Sequence, residues 1–201
     1  MSLTIFLIIL SNVLSVISVF PYLISIIKGL AKPRIVTWVV WSALTAISCA
    51  ASISEKQYVT AIFLLVTTLL TSSVAIVGWK HGNKKVEKLD VVCLVGAILG
   101  IVVWQLSNSP SLAVIFILAI DLMGGVPTLV HSWKKPEEEE WRTFAISIVS
   151  SFCTLLALSS WQITAFAFPL YLFIMSSTYT IIIISRKLVL KNKETLEVNV
   201  S

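Results

Sequence analysis

Seven apolar runs separated by short polar stretches set the pattern of this chain, at about 3–27, 35–53, 57–79, 89–106, 111–131, 143–159 and 161–185. A bilayer core about 30 Å thick is crossed by about 20 helical residues, so each run predicts a helix that spans it or nearly does. The fourth and sixth runs are short and are expected to stand with little tilt. The first run has no positive flank and is too long for a signal peptide, so it is expected to stay as a span. Beyond Arg186 the chain turns polar and charged as far as Ser201, and this tail is expected to be mobile. The predicted fold class is all-α, a polytopic membrane protein with seven transmembrane helices.

Composition agrees. Charged residues make up 12% of the chain, against about 25% in soluble domains. All but Lys56 of the 15 basic residues follow the odd-numbered runs. Lys28, Lys32 and Arg34 follow the first, and Lys80, Lys84, Lys85 and Lys88 the third. Lys134, Lys135 and Arg142 follow the fifth, and Arg186, Lys187, Lys191 and Lys193 the seventh. Only an odd span count puts them on one side, and the positive-inside rule then places the N-terminus outside and the C-terminus in the cytoplasm. The plasma membrane is the expected location. This distribution accounts for the net charge of +5 without a nucleic-acid partner. Trp79, Trp133 and Trp141 then fall at the inner interface, Trp104 and Trp161 at the outer one, as an aromatic belt requires. Trp38 and Trp41 share one face of the second run, either as packing or as a stacking wall for a solute.

The chain also repeats itself. A shift of 106 residues aligns Pro21 with Pro127, Leu23 with Leu129, Lys28 with Lys134 and Thr37 with Thr143, and puts Trp38 on Phe144. A shift of 104 pairs Thr60-Ala61 with Thr164-Ala165 and Ser72-Ser73 with Ser176-Ser177. Each repeat holds three spans in the same orientation, so the fourth is an inverting linker, a 3+1+3 parallel repeat. The boundaries are a first bundle over 1–80, a linker helix over 81–109, a second bundle over 110–187 and a cytoplasmic tail over 188–201.

This layout, with a proline near the inner ends of the first and fifth spans, resembles the SWEET and PQ-loop transporter superfamily. The segments Lys32-Pro-Arg-Ile-Val-Thr-Trp38-Val-Val-Trp41 and Asp121-Leu-Met-Gly-Gly-Val-Pro127-Thr128 look more closely like a broad group of prokaryotic seven-span proteins, over nearly the whole chain. The resemblance implies alternating access between two three-helix bundles. It does not carry over a sugar substrate, because the proline-glutamine pair is Pro21-Tyr22 and Pro127-Thr128 here. The third and seventh spans also lack the asparagine of sugar carriers, and the asparagine motif of nicotinamide-riboside carriers is absent.

Asp121 stands out within this frame. It lies near the middle of the fifth run, whereas the one other acid within a run, Asp90, stands at the very start of the fourth. A carboxyl at the bilayer midplane is expensive and faces protein or a wet cavity, which makes it a functional candidate. No lysine or arginine lies within a run to pair with it, so neutral groups, water or a ligand must do so. Asn12 lies at a similar depth and would share a cavity with Asp121 if the first and fifth spans face each other. It flanks a stripe of Ser11, Ser15, Ser18, Tyr22 and Ser25 at helical spacing, which reads as helix packing or as polar lining. Asp121, Asn12, Trp41, Ser15 and Tyr171 form the candidate substrate- or proton-binding set, with Pro21 and Pro127 as candidate gating kinks. His81 and His131 read as interfacial residues.

Enzymatic readings fare poorly. A diaspartyl protease needs two acids in the membrane, a zinc hydrolase several ligands at one depth, and a retinal protein a lysine in the last span. Cys49, Cys93 and Cys153 lie in apolar runs without paired spacing and read as packing. No metal or cofactor is expected. The expected function is a membrane carrier for a small polar or cationic solute, with lipid as the other partner. A homo-oligomer is compatible with the sequence. The alternative is a receptor, immunity protein or accessory subunit that transports nothing. A fluorescent protein fused after Ser201 is expected to light up in the cytoplasm and a phosphatase fused there to stay inactive; the reverse pattern overturns the orientation.

Overall fold

The computed structural model describes the backbone of residues 2–80, 82, 86 and 88–200. Side chains within that range are described except at 89, 90, 93, 94, 97, 100, 101, 103–105, 127 and 193–200. Cys93, Trp104 and the side chains of Pro127 and Lys193, singled out above, therefore lie outside the described residues, as does His81.

The described residues form helices and no strand. In chain order they are α1 (Leu3–Ile27), α2 (Ile35–Ser54), α3 (Tyr58–Gly78), α4 (Lys88–Ser107), α5 (Pro110–Lys134), α6 (Trp141–Leu156) and α7 (Ile163–Val200), with one 3-10 turn at Pro136–Glu138. Five of them, α1, α2, α3, α5 and α7, are long and apolar enough to cross a membrane. α6 is apolar but has 16 residues, or about 24 Å at the helical rise.

Local chemistry sets the ends. Ser2 and Ser109 cap α1 and α5 by accepting from Ile5 N and Leu112 N, and Pro110 occupies a first-turn position where its missing N–H costs nothing. α1 stops at Gly29, whose φ of +71° permits paired bonds from Gly29 N to Ile26 O and Leu30 N to Ser25 O. α7 continues as a helix through Arg186 to Val200. Pro169 is the last proline and Gly125 the last glycine of the chain, so nothing after Arg186 breaks the helix.

Packing follows a regular scheme. α3 lies against both α1 and α2, and α7 against both α5 and α6; α1 and α2 stand farther apart and meet through the Tyr22 and Trp38 rings. The two groups meet along α1 with α6 and along α2 with α5, while α7 also reaches α2 and α3. α4 packs on α5 and α2. α1 and α5 thus do not pack on each other, and each pairs with the second helix of the other group.

Some of the inward helix faces are polar while the outward ones are apolar. α1 turns Ser11, Ser15, Ser18 and Tyr22 inward, while Ile5, Ile9, Val13, Val16 and Phe20 are exposed. Small hydroxyls let α6 come close: Ser15 and Ser150 share a 2.6 Å bond, and Ser150 Oγ donates to Ser11 O at 2.7 Å. α5 approaches α7 at Gly125, whose carbonyl accepts from the Tyr179 hydroxyl at 3.1 Å; a Cβ there would stand 3.2 Å from that oxygen. The main apolar core joins Leu44, Leu64, Ile117 and Phe168 from four helices.

Against lipid, packing counts for more than the apolar character of a residue. Ile117, 0% exposed, and Leu69, 62% exposed, separate the two. Ile117→Ala is expected to cost about 2–5 kcal/mol of stability in detergent or bicelles. Leu69→Ala should shift the unfolding midpoint by no more than a surface change does. Equal shifts would show that this core is not what holds the bundle.

Candidate functional site

A cavity of about 130 Å3 lies where the two helix groups meet. One buried water needs about 10–15 Å3 of such space, so the cavity has room for several waters or one small solute. α1 contributes Ser15 and Ser18, α2 Trp38, Trp41 and Thr45, and α6 Phe144, Ser147 and Ser150. α3 adds Phe63 and Thr67, and α7 adds Phe168, Tyr171 and Tyr179. Among the described residues, α5 reaches the cavity through Asp121 alone. That follows from helix geometry, since Asp121 sits one turn after Ile117 and two after Ala113, on the face α5 buries.

Asp121 is 6% exposed. Tyr171 shares the cavity wall with it, and Oδ1 has no partner among the described residues. No lysine, arginine or histidine lines the cavity among those residues. Most of the wall hydroxyls, by contrast, are satisfied within their own helices. Thr67 bonds to Phe63 O, Ser147 to Thr143 O and Ser18 to Ser15 O, at 2.7–2.9 Å. Aromatic rings complete the wall: Trp38 stacks at 5.2 Å on Tyr22 and meets Trp41 edge-on at 5.1 Å, while Phe144 stacks on Tyr179 at 4.7 Å. Ring faces and one acid, in a space without a fixed cation, suit a positively charged guest.

Of the residues expected to form the site, Asp121, Trp41, Ser15 and Tyr171 meet on this cavity. Asn12 does not line it. Its Nδ2 donates to Ile8 O at 2.7 Å, one turn back along α1, which holds the amide against its own helix. Pro21 lies within α1 and does not line the cavity either. The side chain of Pro127 is outside the described residues. His131 pairs with Glu138 at 3.1 Å, in keeping with an interfacial role.

Sequence reasoning did not place Phe168, Tyr179 and Thr45 on the site. Apolar spans supply too many such residues for any one to stand out. It also missed Glu139. That residue is hidden in the run Glu137 to Glu140, yet it is 9% exposed while its neighbours lie outside the core. Burial, with Glu138 alongside, pushes the Glu139 carboxyl up to about 7. Glu138 itself is held below the usual carboxylate range by the Lys135 ammonium, 3.0 Å away.

No protein-family profile, curated protein or solved structure matches this chain. The reading of the site therefore rests on its geometry.

A carboxyl kept for packing and one kept for binding differ in their effect on stability. With one oxygen unpartnered, Asp121 costs stability where it stands. Asp121→Leu, which extends into the open cavity, is expected to leave the unfolding midpoint unchanged or higher, as removal of a binding group does. A drop of the size expected for a core truncation would mark Asp121 as structural.

Proposed function

We propose that this protein is a membrane carrier for a small cationic solute, working by alternating access between two three-helix bundles, with Asp121 binding the cation or the coupling proton. One observation carries the reading: the cavity at the junction of the two helix groups holds a single acid, opposed by no fixed base among the described residues. An ionised carboxylate buried without a partner is costly, so a site of this kind is complete only with a cation or a proton on it. Trp38, Trp41 and Phe144 supply ring faces, and the hydroxyls of Ser15 and Tyr171 supply hydrogen bonds.

A seven-span 3+1+3 parallel repeat, on the SWEET-like plan, is part of this proposal. Its support is the matched packing: α1 and α2 flank α3 as α5 and α6 flank α7, and each seam joins the first helix of one group to the second of the other. A swapped tyrosine adds to it. In the first group Tyr22 of α1 stacks on Trp38 beside Ala75 of α3. In the second, Tyr179 of α7 stacks on Phe144, and the repeat shifts place Thr128 opposite Tyr22 and Ala75 opposite Tyr179. The ring has the same aromatic partner in both halves but hangs from a different helix. The N-terminus outside, the C-terminus in the cytoplasm and a plasma-membrane location belong to the same reading.

Flux into proteoliposomes tests it, with sodium, protons and a series of alkylammonium ions offered separately. One of these is expected to be taken up. Asp121→Asn keeps the shape and removes the charge. A charge-assisted contact is worth about 1.5–3 kcal/mol, so uptake should fall by about 10- to 100-fold while the protein remains folded. Unchanged rate and pH dependence in that variant would remove Asp121 from the site. No flux with any cation would favour the non-transporting alternative.

A further inference from the structure

A second space, of about 10 Å3, lies nearer the end of the bundle that carries the basic loops, and it has room for about one water. Trp38, Trp41 and Phe144 line both this chamber and the main cavity, so these three rings are the partition between them. Thr37 Oγ1 and Trp41 Nε1, on the chamber wall, have no hydrogen-bond partner among the described residues. Glu139 closes the chamber from the link between α5 and α6, where Tyr22, on the other helix group, forms part of the same wall. The Tyr22 ring packs at a tilt on Trp38 of the partition. The chamber thus brings an acid on one bundle to the gate residues of the other.

We propose that Glu139 is a second proton-binding site, distinct from Asp121, whose protonation latches this end of the cavity shut. Protonated, the carboxyl stays buried against Tyr22 and holds the α5–α6 link against α1. Ionised, it is stabilised by water, which enters the chamber beside the unpartnered Thr37 and Trp41 groups and frees the ring partition. The latch rests on the carrier reading for its purpose, though not for its detection.

Every element packed around Glu139 contributes to its surroundings. Tyr22 comes from α1, Lys32 and Arg34 from the α1–α2 link, His131 from α5 and Glu138 from the 3-10 turn. Tyr179 and Lys187 come from α7, and the Lys187 ammonium donates to Glu139 O at 3.1 Å. Glu138 disfavours ionisation, Lys187 and the Tyr22 hydroxyl favour it, and burial outweighs them. In the closed form the carboxyl titrates at about 7, against an ordinary value of 4.5 when hydrated. The closed form therefore holds its proton across that interval while the open form has lost it. Opening rises with pH up to about 7, by at most about tenfold per unit for one linked proton, and levels off above.

A cysteine at Thr37 reads the chamber directly. In a chain with Cys49, Cys93 and Cys153 replaced by alanine, the Thr37→Cys thiol is labelled in detergent by a hydrophilic methanethiosulfonate. Its rate is divided by that of an exposed Ser107→Cys reporter, which removes the intrinsic pH dependence of the thiol. The ratio is expected to rise at least about tenfold between about pH 5 and pH 7. Glu139→Gln should hold the ratio low and flat, and Tyr22→Phe should raise it at the acid end. A flat ratio in the parent chain, a rise that survives Glu139→Gln, or no change with Tyr22→Phe overturns the latch. Labelling needs no transport, so the two readings can fail separately. A proton-dependent ratio without flux of any cation removes the carrier and leaves the latch, and cation flux with a pH-independent ratio does the reverse.

Discussion

In hydrocarbon a polar side chain must find its partner inside the protein, and many hydroxyls of this bundle find it one turn back on their own helix. Thr71 bonds to Thr67 O, Ser151 to Ser147 O and Ser177 to Phe173 O, each within 2.6–2.9 Å. A serine so satisfied is small and costs little to bury, which is why the inward faces of α1 and α6 can be polar and still pack tightly. The exposed faces are left to isoleucine, valine and phenylalanine. A carboxylate has no equivalent escape, because it has no proton to donate to a backbone carbonyl. Asp121 is for that reason different in kind from the hydroxyls around it.

The same constraint explains how much was legible in the sequence. Long apolar runs have no competing soluble solution, so α1 was placed at both ends and α2 to α4 to within a residue or so at each end. Asp121, Trp41, Ser15 and Tyr171 were found because a buried acid and an in-span tryptophan are rare against an apolar background. Asn12 failed for a three-dimensional reason. Depth along a helix is readable from sequence, but azimuth relative to a neighbour depends on which helices pair, and α1 pairs with α6. Glu139 was illegible for another. In a run of four acids the sequence cannot say which one the turn at Pro136–Glu138 directs inward. The helix beyond Arg186 was not anticipated because attention went to its charge, whereas lysine and glutamate are good helix formers.

The proposed repeat draws its support from packing more than from identity. Two halves that share few residues still place a ring on a ring at the same junction, Tyr22 on Trp38 and Tyr179 on Phe144. What is preserved is the volume between the first and third helices of each half, and either helix can fill it. A comparison by aligned residues alone scores this position as two mismatches. Volume conservation in a close-packed interior makes such exchanges tolerable where a simple deletion of the ring would leave a void.

The two ends of the cavity are held by different chemistry. At the end away from the basic loops, Ser52 donates to Thr164 O at 2.9 Å and Thr60 to Ala165 O at 2.7 Å, and the Gln57 and Gln162 amides are joined at 2.9 Å. None of these groups titrates near neutrality, so this seam has no proton to lose. The opposite end is tied by Tyr22 and Glu139, with a carboxyl poised at about 7. In a carrier the two ends must not open together, and identical locks would respond to the same conditions. One lock made of hydroxyl-to-carbonyl bonds and one made of a titratable acid separate the two responses. Under that arrangement the halves can remain near-symmetric in packing while the cycle acquires a direction from the proton concentration on one side.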